Sequence, residues 1–166
     1  MNAAAPALCL KALEHATKGV DQRLKKILKA RTHGPAAEMY SMLAYFLGFL
    51  DEHLKPASGS GKRLRPGLCL LIAEGYGART KAFNAALAIE LFHNFTLIHD
   101  DVEDRDEVRR NRPTVWKLWG INHAINSGDA QSLLVSELAL QAGEKIAPVL
   151  MKAFIEVIEE IGRAHV

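Results

Sequence analysis

Apolar residues recur at three- and four-residue steps along nearly the whole chain, the pattern of helices that bury one face. Leu10, Leu13, Val20, Leu24 and Ile27 form a first stripe with Lys and Arg opposite, and predict one helix that Gly34 and Pro35 close. Met39, Met42, Phe46, Phe49 and Leu50 form a second stripe. Residues 55–61, reading KPASGSG, are a loop by composition. Pro66 suits the first turn of a third helix that ends at Gly75 or Gly77. Thr80 is placed to cap a fourth helix, apolar on most faces through Ile98, and such a helix belongs at the centre of a fold. That helix ends in charge, from His99 and Asp100 to Asp106, and a polar loop runs from Arg105 to Arg112 before Pro113. Further helices are predicted from about Asn122 to Gln141 and from near Pro148 onward. No segment sustains two-residue alternation, so the pattern predicts an all-α fold.

Composition narrows the class. The chain has 166 residues, 49% hydrophobic and 24% charged, which fits one globular domain and excludes general disorder. A net charge of +2 gives no whole-protein reason to expect nucleic acid or an anionic membrane as partner. Cys9 and Cys69 both lie in apolar helical stretches and are expected to be buried small residues; there is no CxxC. The apolar runs are too short to span a bilayer, and no basic residue precedes the apolar patch at the N-terminus. A cytoplasmic protein without a signal peptide is the expectation.

Local charge carries the chemistry. Asp100 and Asp104, four apart, project from one helical face, and Asp101 lies beside them. Their mutual repulsion and the helix dipole both disfavour anions there, so a compensating cation is expected. Hard carboxylate oxygens without paired imidazoles or thiolates favour Mg²⁺. On charge alone, a solvated acidic helix end is an equal reading. Lys62, Arg63 and Arg65 follow a Gly/Ser loop and precede a helix start, an arrangement suited to an anion. Arg109, Arg110 and Arg112 form a second basic set. One acidic cluster between two basic ones matches a substrate with two phosphate-bearing groups, one diphosphate bridged by metal and the other held directly by Lys and Arg. His93 lies seven residues before Asp100, on the carboxylate face and about 10 Å below it. It can donate to a phosphate or serve as a core histidine. His99-Asp100 also admits an HD-type phosphohydrolase, but His33, His53 and His123 lack the context for its wider ligand array. No P-loop, dinucleotide or nucleophile-elbow signature is present.

Together these residues resemble the trans-isoprenyl diphosphate synthases (polyprenyl synthetases). SGKRLRP, from Ser60 to Pro66, is similar to the family's GGKRxRP motif, with Ser60 in place of a glycine. HNFTLIHDDVEDRDEVRRNRPTVW, from His93 to Trp116, resembles the first aspartate-rich motif, DDxxD, and its following arginine pair. NHAINSGD, from Asn122 to Asp129, is similar to the next helix. The resemblance covers roughly residues 20 to 160. It implies the helical bundle of isoprenoid synthases and a prenyltransferase that condenses isopentenyl diphosphate with an allylic diphosphate, releasing pyrophosphate. It implies that Asp100 and Asp104 bind Mg²⁺ with Asp101 in support, and that Arg109 holds the allylic diphosphate. Lys62, Arg65, His93 and Arg110 would hold the diphosphate of isopentenyl diphosphate. Phe95, five residues before Asp100, would floor the product pocket beside the smaller Thr96. That position resembles geranylgeranyl diphosphate synthases of the archaeal kind and implies a C20 product, with C15 next. A homodimer is implied for the full-length enzyme, with the helix from Asn122 as a candidate interface.

The end of the chain departs from the family. No second aspartate-rich motif follows Asp129. IGRAHV, from Ile161 to Val166, matches a common sequencing adapter translated up to a stop and is read as a scar. Residues 1–160 are then expected to be the N-terminal part of a longer synthase domain, with little activity alone and a tendency to aggregate. The competing readings are a non-catalytic small subunit of a heteromeric synthase and a class I terpenoid cyclase. Intact acidic and basic motifs speak against the first, and the second diphosphate site against the second.

Overall fold

The first apolar stripe does not run along one helix. In the computed structural model, which describes residues 4–57, 59 and 61–164, it is divided between α1 (Ala4–Ala16) and α2 (Val20–Lys29). Gly19 separates them at a left-handed φ of 87°, a conformation that costs a side-chain-bearing residue energy. The periodicity continues across the break, so the stripe alone does not reveal it. Val20, Leu24 and Leu28 enter the core beside Met42, Leu43 and Leu47, while α1 leans on α4.

The second stripe becomes α3 (Ala37–Phe46), and the basic motif leads into α4 (Leu64–Gly75). The central element is α5 (Arg79–Glu103), 25 residues and about 37 Å long. It packs on α4, α7 and α8, and its buried side chains include Ala86, Leu87, Leu91 and Ile98. Thr80 does not cap it: Ala78 is the N-cap, without a side-chain bond, and Thr80 lies in the first turn. Cys9 is exposed and Cys69 half-buried, because the apolar face that carries Cys9 points away from the core.

After α5 the polar loop folds into a two-residue antiparallel hairpin, β1 (Val108–Arg109) with β2 (Arg112–Pro113), the only sheet among the described residues. The short α6 (Val115–Trp119) follows, then α7 (Ile121–Gln141) and α8 (Ala147–Ala164). The architecture is all-α, as the pattern predicts. Close packing of α5 on α7 uses the small buried residues Ala124, Ser127 and Gly128. A Cβ at Gly128 would stand 2.2 Å from His99 Nε2. Helix α8 docks through Phe154, whose ring stacks on Phe92 at 4.1 Å, and leaves Val149, Ile155, Val157 and Ile158 exposed. Residues Ile161–Ala164 of the IGRAHV tail continue α8; His165, Val166 and Ser60 lie outside the described residues. Among the described residues, no helix is long and apolar enough to cross a membrane.

Candidate functional site

The acidic cluster divides at the end of α5. Asp104 is the C-cap, its backbone N–H donating to the Asp100 carbonyl at 2.8 Å. Asp100 and Asp104 share a helical edge with His93, as their spacing requires. Asp101 faces another way. It is 1% exposed, and its Oδ1 accepts a 2.5 Å bond from Arg109 Nε. Its Oδ2 has no hydrogen-bond partner among the described residues. Burial pushes the Asp101 carboxyl above its usual range, and Arg109 opposes that without cancelling it. Arg109 also lies 3.8 Å from Asp106. The structure thus places Asp101 behind Asp100 and Asp104, as the anchor of Arg109.

The hairpin presents the second basic set. Its turn residues, Arg110 and Asn111, have φ of 54° and 59°, the left-handed pair that a two-residue hairpin turn requires. Tyr45 Oη donates to the Pro113 carbonyl at 2.6 Å. The Arg112 guanidinium lies 4.0 Å from the Tyr45 ring centre and donates to the Tyr45 and Leu50 carbonyls. Arg112 therefore holds the hairpin on α3, whereas Arg110 is exposed at its tip.

The first basic set divides as well. Lys62 and Arg65 are exposed at the start of α4, while Arg63 between them is 5% exposed. Arg63 pairs with Asp21 at 2.7 Å and with Glu90 at 2.8 Å. His93 joins the two sets. Burial, then the charges of Arg65, Arg110 and Arg109, lower its pKa from 6.5 to about 4. Its imidazole is therefore neutral at pH 7, an N–H donor among three guanidinium groups. Partial desolvation lowers the Arg110 pKa, Glu90 opposes this, and Arg63, Arg109 and Arg65 add to it. Arg65, His93, Arg109 and Arg110 thus form one cationic cluster beside Asp100 and Asp104.

An apolar groove of about 320 Å³ lies on another face of the same helix, between α5, α7 and α8. Phe92, Phe95, Val135, Met151 and Phe154 line it, and the Phe95 ring meets His99 edge-on at 4.9 Å. Thr96 is buried and bonds the His93 carbonyl at 2.9 Å instead of facing the groove.

Among the described residues, no three His, Cys, Asp or Glu side chains converge to hold a metal ion. Asp100 and Asp104 supply two hard carboxylates at the end of α5. That donor set fits Mg²⁺, which is held by one or two carboxylates and completes its shell with water and substrate phosphate, not by an all-protein cage.

Sequence reasoning grouped Arg63 and Arg112 with the other cations and passed over Glu90. The available signal was Glu90 itself, an acid within an otherwise apolar central helix, which demands a buried partner.

These features agree with known proteins. The family model described as polyprenyl synthetase matches residues 49–166. The (2E,6E)-farnesyl diphosphate synthase of Mycobacterium tuberculosis is 41% identical over 129 residues, 76% of this chain and 36% of that protein. The crystal structure of a polyprenyl synthetase from Streptomyces coelicolor superposes with a TM-score of 0.74 at 37% identity, covering 90% of this chain and 45% of that one. The geranylgeranyl pyrophosphate synthetase of Pyrococcus horikoshii superposes with a TM-score of 0.75 at 30% identity, covering 93% and 45%. The chain spans less than half the length of these proteins. Motif order, helical architecture and matched residues lead to one assignment: the chain belongs to the polyprenyl synthetase family.

Proposed function

We propose that this chain is the N-terminal part of a short-chain prenyl diphosphate synthase, spanning residues 1–160, with 161–166 a sequencing scar. The full enzyme would condense isopentenyl diphosphate with an allylic diphosphate and release pyrophosphate. The observation that carries the reading is the cationic cluster around neutral His93, set beside the carboxylate pair Asp100 and Asp104. Two diphosphates need two such sites, and a hydrolase or a single-substrate cyclase needs only one.

The roles follow from chemistry. Breaking the allylic C–O bond leaves charge on the departing pyrophosphate, and a preorganised cationic site stabilises that charge most as it develops. Asp100 and Asp104 would hold Mg²⁺, which, when bound, supplies positive charge to that leaving group. Arg109, fixed by Asp101, would meet the same diphosphate. Lys62, Arg65, Arg110 and the His93 N–H would hold the diphosphate of isopentenyl diphosphate. The isopentenyl double bond then attacks the allylic cation, and loss of one proton completes extension by one five-carbon unit. The apolar groove would take the growing tail and keep water from the cation. Phe95 lines that groove, which supports its role in setting a C20 product, with C15 next.

A cytoplasmic homodimer with α7 at its interface is part of this reading. The chain by itself is expected to be nearly inactive. The test expresses the complete reading frame and supplies Mg²⁺, isopentenyl diphosphate and dimethylallyl, geranyl or farnesyl diphosphate. A C20 prenyl diphosphate is expected, and Phe95→Ala should lengthen it; unchanged length removes Phe95 from that role. A full-length protein that makes no product but raises the activity of a catalytic synthase would replace this reading with the small-subunit one.

A further inference from the structure

Of the three cations in the basic motif, Arg63 alone is withdrawn from solvent. Its guanidinium fork is committed on every side. Nε donates to Asp21 Oδ1 at 2.7 Å, Nη1 to Glu90 Oε1 at 2.8 Å and Nη2 to the Leu47 carbonyl at 2.8 Å. The Phe49 ring lies 5.3 Å away. One side chain thus ties α2, the turn after α3 and the central helix α5 to the start of α4. Its backbone sits at a φ of 49° as the N-cap of α4, a conformation that few residues without special support adopt. Lys62 precedes this pinned residue and Arg65 follows it in the first helical turn, both exposed.

We infer that Arg63 is a positioning residue: its buried fork, held by Asp21 and Glu90, fixes the backbone from which Lys62 and Arg65 reach a diphosphate. The inference rests on the diphosphate site proposed above. Arg63 has no surface of its own to offer a ligand, so it acts through its neighbours. Glu90 is held in turn by Asn94, whose Nδ2 donates to Glu90 Oε1 at 3.1 Å. Glu90 also interacts favourably with Arg110, offsetting part of the repulsion that Arg63, Arg109 and Arg65 exert on it. Lysine cannot replace Arg63, because an ammonium lacks the planar fork that meets three acceptors at once.

The test is calorimetric titration of the full-length protein with inorganic pyrophosphate, without magnesium, at a temperature where circular dichroism shows each variant folded. Lys62→Ala and Arg65→Ala should each weaken binding about tenfold, the effect of losing one charged hydrogen bond. Arg63→Lys should weaken it about fivefold with charge retained. The deciding variant replaces Arg63→Met, Glu90→Gln and Asp21→Asn together, which removes the buried charges and leaves none unpaired. Weakening of fivefold or more in this folded variant supports positioning; wild-type affinity overturns it. If the triple variant does not fold, Asp21→Asn alone, at a half-buried carboxylate, takes its place. A loss of twofold or more is then expected, and unchanged affinity overturns the inference. If wild type fails to bind, or Lys62→Ala and Arg65→Ala bind as wild type, the diphosphate site itself is refuted. That outcome is distinct from a site that works without Arg63.

Discussion

Helix α8 offers a sharp test of how the groove is built. Of its 18 residues, only Ala147 and Phe154 are buried, and Phe154 is the one large anchor. Its ring is 8% exposed and stacks on Phe92 with 13° between the planes. Truncation of a buried Phe costs about 3–5 kcal/mol, cavity included. Taking the lower figure, because the groove beside it lets neighbours relax, Phe154→Ala should cost about 3 kcal/mol. That loss falls on α8, whose other apolar residues are largely in water, and corresponds to about a hundredfold in its local opening constant. Hydrogen exchange followed by mass spectrometry should show residues 147–164 exchanging about a hundredfold faster, with α5 and α7 little changed. Phe154→Leu, which keeps most of the volume, should cost less than about 1.5 kcal/mol. If α8 amides in Phe154→Ala kept protection within threefold of wild type, Phe154 would not be the anchor. The far wall of the groove would then need another explanation.

Four further outcomes follow from Gly128, His93 and Arg112. Gly128→Ala drives a methyl into the His99 ring; overpacking of about 1–3 kcal/mol against about 1 kcal/mol of helix propensity gives a net loss near 1 kcal/mol. Unchanged stability in urea unfolding would mean that the ring swings aside freely. Because His93 has a pKa of about 4 when folded against 6.5 otherwise, the unfolded chain takes up the proton first. The His93 contribution is therefore complete above pH 6.5 and declines as the pH falls to 4, by about 2 kcal/mol once partial solvent access is allowed for. Urea midpoints of wild type and His93→Gln should diverge across that window, and parallel curves would contradict the assignment. Bound pyrophosphate should raise the His93 midpoint seen by proton NMR, and an unmoved midpoint would place the ligand elsewhere. Arg112→Lys loses the stack on Tyr45 and at least one carbonyl bond, and should cost about 1–2 kcal/mol with faster exchange across the hairpin. Wild-type exchange there would show that Tyr45 holds the hairpin without it.

Much of the architecture is legible from periodicity, because long helices repeat their apolar positions over several turns. The central place of α5 follows from its apolar character on most faces, and the structure buries it between α4, α7 and α8. The breaks are less visible. Gly19 interrupts a stripe that stays in phase, so α1 and α2 read as one helix. The hairpin at 108–113 is too short to show alternation, and its turn is built from Arg110 and Asn111 with no glycine. Charged residues are the hardest to sort from sequence alone. Lys62, Arg63 and Arg65 look equivalent in a string, yet Arg63 turns inward because Asp21 and Glu90 arrive from distant segments. Asp101 separates from Asp100 and Asp104 for a local reason: one residue along a helix rotates the side chain by about 100°, here toward Arg109.

If two diphosphates meet at this site, pyrophosphate release and prenyl transfer are coupled one to one. In the full-length protein with Mg²⁺, labelled isopentenyl diphosphate and an allylic diphosphate, pyrophosphate release and label incorporation are measured in the same reaction. One pyrophosphate should be released for each isopentenyl unit incorporated, and both should fall about 10²-fold or more when Asp100 and Asp104 are both changed to Asn. Pyrophosphate released from the allylic substrate alone, without uptake of label, would contradict it and point to a single-substrate cyclase.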